Sequence, residues 1–193
     1  MKATEILTEE HRVIEGVLST LEIAAHLLAE GATVRPELFL EAADFISGFA
    51  DGCHHKKEEG VLFKTMEAHG VHVQQGPIGA MLADHEAGRQ YTRQMRSAAE
   101  RLQAGENQAG QEVAASAAAY VQLLRNHIFK EDHILFPMAD SVIPTSEQDA
   151  VSEGFEQIEH EETGEGVHEK YLALAQSLAH EVEALRKGVA ISG

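Results

Sequence analysis

The stretch His54-His-Lys-Lys-Glu-Glu-Gly-Val-Leu-Phe63 returns 73 residues later as His127-Ile-Phe-Lys-Glu-Asp-His-Ile-Leu-Phe136. Each copy holds a histidine followed four positions later by a glutamate, which are His54 with Glu58 and His127 with Glu131. Residues four apart lie on one face of an α-helix, about 6 Å from each other. Each copy therefore predicts a helix that presents an imidazole and a carboxylate side by side.

A single histidine precedes each copy of this pattern at nearly the same distance. His11 lies 43 residues before His54, and His85 lies 42 residues before His127. Both single histidines interrupt apolar stripes with three- and four-residue spacing, so we expect both to point into the protein interior. The duplicated unit thus supplies four imidazoles and two carboxylates, which is the ligand set of a two-metal site inside a helical bundle.

A simpler interpretation exists for each part of the pattern taken alone. A buried histidine is more often a hydrogen-bonded core residue than a ligand, and a lone His-x-x-x-Glu is common on helix surfaces. The recurrence favours metal binding, because core packing would not require the polar residues to match. Glu58 and Glu131 are the natural bridging ligands, since a carboxylate has two oxygens. Two divalent ions would also offset the cost of burying both glutamates.

The composition limits the classes of fold and partner. The chain has 193 residues with four prolines and no tryptophan, which favours a helical protein with enough material for a core. The formal charge of -17 argues against a nucleic-acid partner and against a membrane surface. No apolar run reaches the length of a membrane span, and the first dozen residues lack a signal-peptide core. With a single cysteine, Cys53, these features favour a cytoplasmic protein.

The apolar periodicity predicts an all-α chain with four long helices and an additional C-terminal helix. Stripes at helical spacing run through residues 7–28, 38–62, 78–85, 113–135 and 167–185. Turn signals separate them at Gly31 to Pro36, Gly76-Pro77 and Gly105 to Gly110. Because these loops are short, we expect neighbouring helices to run antiparallel in an up-down-up-down bundle. We place the bundle at residues 1–140 and a helical extension packed on it at residues 141–193, within a single domain.

The doubled unit of one histidine followed by His-x-x-x-Glu resembles the hemerythrin-like, or HHE cation-binding, domains, which carry it on a four-helix bundle. The resemblance covers roughly residues 4–140. It implies a non-haem di-iron centre, bridged by an oxide or hydroxide. The implied ligands are His11, His54, Glu58, His85, His127 and Glu131.

The chain departs from the oxygen-carrying hemerythrins at two places. Those proteins have two histidines four apart on the third helix, whereas here Met81 and Arg89 flank His85 at that spacing. They also have an aspartate at a longer spacing on the fourth helix, where this chain has Glu131 four residues after His127. Both differences indicate the HHE-like branch and argue against simple reversible oxygen carriage.

Two regions offer candidates for the missing third-helix ligand. His55 and Glu59 adjoin the second-helix pair, but a regular α-helix turns each residue about 100° from its neighbour, which leaves both free to face solvent. His168 opens the last helix and is a candidate additional ligand. The alternative is that His160 and His168 are surface residues of an acidic tail.

Other residues near the pattern have simpler interpretations. Tyr91 and Tyr120 are further candidates for an oxygen ligand or for a hydrogen bond to a ligand. The duplicated Lys57 and Lys130 are expected to form ion pairs at the bundle surface. Cys53 is expected to pack as a small apolar residue.

The ligand chemistry favours iron over other metals. A single cysteine excludes a thiolate-type structural zinc site, while mixed imidazole and carboxylate ligands suit iron or manganese in a two-metal centre. Zinc and manganese would also fit the same ligands. The remaining coordination positions would accept a small diatomic molecule or peroxide.

Three functions of different class are compatible with such a centre. The first, which we take as the primary hypothesis, is a di-iron protein that binds or senses oxygen, nitric oxide or peroxide. The second is an enzyme, a catalase or peroxidase that removes hydrogen peroxide during oxidative stress. The third is an iron buffer, in which the ions mainly hold the bundle together and the acidic tail recruits a protein partner. The sequence alone does not separate the first two.

Overall fold

A computed structural model of the chain describes residues 2–73, 76–160 and 166–192. These residues are almost entirely helical, and no strand occurs within the described ranges. The all-α prediction is therefore confirmed. The α-helices are α1 (Ala3–Ala29), α2 (Pro36–Phe45), α3 (Phe63–Ala68), α4 (Pro77–Gln103), α5 (Ala109–Lys130), α6 (Phe136–Val142), α7 (Gln148–Ile158) and α8 (Val167–Ser192).

Three π-helical segments connect some of these helices without a break. They are π1 (Ile46–His55), π2 (Glu58–Leu62) and π3 (Glu131–Leu135). Residues 36–68 consequently form one continuous helical rod, and residues 109–142 form another. Two of them, π2 and π3, lie within the two copies of the repeated pattern, and π1 ends on the first two residues of the first copy. Such departures from α-helical hydrogen bonding are frequent at functional sites.

The predicted turns lie between the long helices. Gly31 and Gly105 adopt positive φ angles of 84° and 96°, which glycine accepts without steric cost. Pro36 and Pro77 occupy the first turns of α2 and α4, where a missing N–H is tolerated. These connections bring α1 against α5, and α4 against both α2 and α5.

The apolar core is divided into two clusters. On α1, Leu7 belongs to one cluster and Ile14 to the other, and His11 lies between them. On the rod formed by α5 and α6, Leu124 and Leu135 likewise fall in different clusters on either side of the repeated pattern. A layer of buried polar residues therefore crosses the bundle between two apolar regions.

The C-terminal part contains one helix that the apolar pattern predicts and one that it does not. The last helix is present as α8, whereas α7 lies in the acidic segment for which no helix is expected. Val151 and Phe155, four residues apart and both buried, give α7 an apolar face that packs on the second apolar cluster. Both α7 and α8 contact α1.

A close approach between α8 and the rod explains one glycine of π1. A Cβ atom at Gly48 would lie 1.8 Å from the Tyr171 hydroxyl oxygen, so any larger residue there would displace the tyrosine. The C-terminal helices thus pack tightly on the rod that carries the first copy of the pattern. Within the described ranges, no helix combines the length and apolar character needed to cross a membrane.

Candidate metal centre

The six side chains of the duplicated pattern come together in the polar layer. All six are at most 1% exposed although each is polar or charged. They are His11 on α1, His54 on π1, Glu58 on π2, His85 on α4, His127 on α5 and Glu131 on π3. The two halves of the sequence therefore contribute to one buried site.

The donor atoms form two groups that share a carboxylate. The first group contains His11, His54, Glu58 and Glu131, and the second contains His55, Glu58, His85 and His127. Within each group the nitrogen and oxygen atoms lie within 4.8 Å of one another, which is close enough for a common cation. Glu58 belongs to both groups, so its position matches that of a bridging ligand.

The carboxylate oxygens lie between histidines of the two halves. Oε1 of Glu58 is 3.7 Å from Nε2 of His54, and its Oε2 is 3.4 Å from Nε2 of His85. Oε2 of Glu131 is 3.3 Å from Nε2 of His11 and 3.1 Å from Nε2 of His127. Each glutamate thus faces one histidine of its own half and one of the other half.

Several of these buried atoms lack a hydrogen-bond partner. They include Nε2 of His11 and His54 and both carboxylate oxygens of Glu58 and Glu131, with partners counted among the described residues. A buried polar atom without a partner is costly, and a buried carboxylate more so. Metal ions satisfy imidazole and carboxylate lone pairs together, so the arrangement fits a cation pair.

The opposite edge of each imidazole ring faces another carboxylate. Three histidines donate a hydrogen bond from Nδ1 to a carboxylate. The pairs are His11 with Asp132 at 2.8 Å, His54 with Glu10 at 2.8 Å, and His85 with Glu59 at 2.7 Å. The corresponding distances are longer for His127 to Asp84, at 3.5 Å, and for His55 to Asp51, at 3.4 Å. A carboxylate on Nδ1 holds the ring and leaves Nε2 free to bind a metal, as in many histidine-ligated sites.

Basic side chains neutralise these outer carboxylates. Lys57 bonds Glu10, and Lys130 bonds Asp84. Arg12 bonds Asp132, and Arg89 bonds both Asp51 and Glu59. The duplication extends to this outer layer, because the acid before each single histidine (Glu10, Asp84) meets the lysine of the pattern (Lys57, Lys130) in both halves.

Neighbouring carboxylates raise the pKa values of two of these histidines, His11 and His127. Burial opposes protonation of His11, but the hydrogen bond to Asp132 and the nearby carboxylate of Glu131 raise its pKa to about 9. Burial also opposes protonation of His127, yet the charge of Glu131 and the nearby carboxylate of Asp84 raise its pKa to about 10. Without cations, protonated His11 and His127 would supply positive charge beside the buried carboxylates.

Comparison with known proteins now identifies the family. The model of the hemerythrin HHE cation-binding domain matches residues 2–139. The chain belongs to this family. Uncharacterized protein Mb2018 of Mycobacterium bovis and uncharacterized protein Rv1995 of Mycobacterium tuberculosis are each 28% identical over 190 residues, covering 98% of this chain and 71% of the relative. No solved structure gives a significant match.

His55 is the residue of this HHE domain that the spacing argument missed. Instead of facing solvent it is buried, belongs to the second donor group, and stacks on His85 with ring centroids 3.9 Å apart. The reason is π1, whose i to i+5 hydrogen bonds widen the turn, so that His54 and His55 both face the site. A Cβ atom at Gly52 would lie 2.8 Å from the Ser47 carbonyl oxygen, so this wide turn requires glycine.

Two signals in the sequence were available for His55. The third helix lacks a second histidine, and a histidine directly follows the second-helix ligand. In addition, Gly48 and Gly52 precede His54 and His55. A glycine inside a regular α-helix costs about 1 kcal/mol of stability relative to alanine. Together they indicate an irregular backbone just before His54.

The candidate ligand His168 lies apart from the six residues of the duplicated pattern. Its ring packs on Phe49, with centroids 5.3 Å apart, and a donor atom of His168 lies with those of Glu10 and Glu159 in a separate group. Lys57 already bonds both glutamates of that group. The ammonium group therefore supplies the positive charge that a cation would bring there.

Lys57 was expected to form an ion pair at the bundle surface, but it forms a buried one. Its side chain is 0% exposed and lies between Glu10 of α1 and Glu159 next to α7. Burial opposes its charge, but the neighbouring Glu10 carboxylate raises the pKa of Lys57 above its usual value. Lys130 is 38% exposed and paired with Asp84, as expected. Cys53 is buried, in agreement with a packing role, and burial raises its pKa to about 11.

Proposed function

We propose that this HHE protein is a non-haem di-iron protein that binds or senses a small ligand such as oxygen, nitric oxide or peroxide. The observation that carries the proposal is the set of buried, unpartnered Nε2 and carboxylate atoms of His11, His54, Glu58 and Glu131. Two cations would satisfy these inward-facing lone pairs together. The proposed scaffold is the up-down-up-down four-helix bundle, which the short connections between the long helices support.

The proposed ligands divide between two ions. His11 and His54 would hold one ion, and His55, His85 and His127 would hold the other. Glu58 and Glu131 would bridge them, since each lies between histidines of both groups. Three histidines on one ion and two on the other leave the ions unequal in the number of positions open to an added ligand.

Iron is the preferred metal because the donors are imidazole and carboxylate without thiolate. A bound iron pair would supply coordination positions for small molecules and a change of oxidation state. The protein's own contribution is to orient five imidazoles through outer carboxylates and to exclude bulk water. The buried layer between two apolar clusters performs the second task.

Binding of a small ligand and catalytic turnover of hydrogen peroxide can be measured separately on the same protein preparation. The protein isolated with iron should form a nitrosyl adduct when its reduced form meets nitric oxide, with an amplitude that scales with iron content. A preparation that holds iron but gives no adduct would contradict ligand binding and leave iron storage as the function. Oxygen release from hydrogen peroxide at a rate proportional to iron content would instead identify the enzymatic alternative.

A further inference from the structure

A cavity of about 140 Å³ borders the candidate metal centre on one side. It lies between π1, α4 and α5, and the rings of His55 and His85 form part of its wall. Tyr120, Gly88 and Thr92 line its interior. Its volume is close to that of cavities that hold benzene, so a molecule of up to about six heavy atoms fits.

One of the residues that line this cavity has a polar group without a partner. The Tyr120 side chain is 1% exposed, and its hydroxyl makes no hydrogen bond to any described residue. Burial, together with the nearby charge of Asp51, raises the pKa of Tyr120, which keeps the hydroxyl protonated and able to donate. Buried hydroxyls are nearly always hydrogen-bonded, so the cavity is expected to hold the missing partner.

The arginine and aspartate side chains that line the cavity are already paired. Arg89 bonds Asp51 at 2.7 Å and Glu59 at 2.8 Å, and Asp84 bonds Lys130. Two further arginines of the lining are also paired, Arg93 with Glu86 and Arg96 with Asp44, so the lining offers no unpaired guanidinium group to attract an anion. An uncharged molecule that accepts a hydrogen bond from a phenol is the chemistry that fits.

We propose that this cavity is a binding chamber for an uncharged hydrogen-bonding molecule, held by the Tyr120 hydroxyl beside His55 and His85 before it reaches the metal centre. The inference rests on the proposed function, because it takes the metal centre as the destination. It adds a site outside the ligand set and the chemical class of the molecule that occupies it.

Substitution of Gly88, which lines the chamber, is a way to fill it experimentally. A Cβ atom there would lie 3.5 Å from Cε2 of Tyr120, so alanine fits, and because Gly88 lines the cavity we expect a leucine at this position to reduce the space beside Tyr120. Gly16 is a matched control, because it is an exposed glycine of α1 and its Cβ would meet nothing within 4 Å. Replacement of a helical glycine favours the helix in both cases.

The first test measures how fast nitric oxide reaches the reduced iron-loaded protein. Gly88→Leu should lower the association rate at least about tenfold, and Gly16→Leu should leave it unchanged, with the same iron content in both. Gly88→Ala should give an intermediate rate and serves if the leucine variant folds poorly. An unchanged rate in an iron-replete Gly88→Leu protein would overturn the chamber, while a wild-type protein without metal would overturn the proposed function instead.

The second test detects occupancy without redox chemistry. The chain has three tyrosines, so the zinc-loaded protein with carbon-13-labelled tyrosine rings gives a simple NMR spectrum. The signal that disappears in the Tyr120→Phe variant belongs to Tyr120. Added hydrogen peroxide should shift the Tyr120 signal saturably and leave those of Tyr91 and Tyr171 in place. Gly88→Leu should abolish the shift. A signal that does not respond would mean that the chamber holds only water, and the proposal would fail.

Discussion

The two halves of the buried polar layer have the same arrangement of donors but different neighbouring residues. In each half an acid precedes the single histidine and bonds the lysine of the repeated pattern, as Glu10 does with Lys57 and Asp84 with Lys130. The halves differ at the residue after the pattern's first histidine, which is His55 in one copy and Ile128 in the other. Duplication therefore accounts for a symmetric set of donors, and single substitutions make the two proposed ions unequal.

A second difference concerns what covers each half. Lys57 is fully buried and bonds Glu159 near the end of α7, whereas the side chain of Lys130 is 38% exposed. The C-terminal helices thus add a contact to the outer layer of the first half. Because of these differences, substitutions at equivalent positions of the two halves should have different effects.

The largest effect is expected when a carboxylate shared by the halves is removed. Glu58→Ala should lose both ions and the stability that they confer, which is about 4 kcal/mol when free metal is a thousandfold above its Kd. Metal analysis and thermal unfolding with and without a chelator measure both losses. Glu59→Ala is the comparison variant, because it removes no proposed ligand but a carboxylate that hydrogen-bonds His85 Nδ1 and Arg89, and it should weaken metal binding about 10- to 100-fold. Normal metal content in Glu58→Ala would show that Glu58 does not bridge.

The next effect should be confined to one ion. His55→Ala should lower the metal content from about two ions to about one, because the second donor group loses a histidine while the first remains intact. Ile128→Ala, at the equivalent position, should cost about 2–5 kcal/mol of stability through a core cavity and keep both ions. Equal metal content in the two variants would remove His55 from the ligand set.

A smaller difference is expected between the two lysines. Lys57→Met leaves Glu10 and Glu159 without their shared ammonium group and should cost about 3–5 kcal/mol, as for other broken buried ion pairs. Lys130→Met removes a partly exposed pair and should cost about 1 kcal/mol or less. Denaturant unfolding of the zinc-loaded proteins compares them. Equal losses would mean that the C-terminal contact adds nothing to the first half.

The smallest effect is predicted for His168. Its position with Glu10 and Glu159, where Lys57 already provides a cation, makes His168→Ala neutral for metal content. Metal analysis should still find about two ions per chain, with an unchanged optical spectrum. A fall to about one ion would place His168 in the centre and would require α8 to sit closer to the metal layer.

The sequence predicts the inward-facing residues well because they obey simple periodicity. His11 on α1 and His85 on α4 interrupt apolar stripes of regular α-helices, so their burial in one layer follows from regular geometry. The helical class follows from the same periodicity.

The features that the sequence did not predict depend on irregular backbone or on contacts between distant segments. His55 faces the site only because π1 replaces regular α-helix, and helical spacing rules assume the regular form. The burial of Lys57 depends on Glu159, 102 residues away, which local patterns do not report. The chamber beside Tyr120 arises from three separate helical segments and has no signature in any one of them.

The most direct test of a shared metal cluster is iron X-ray absorption of the protein purified with its native metal. The two halves together should give an iron–iron vector of about 3.5–4 Å or somewhat shorter, with nitrogen and oxygen neighbours only. A spectrum of iron with no metal neighbour, or a stable protein that contains no metal, would contradict the assignment of one bimetallic centre to both halves.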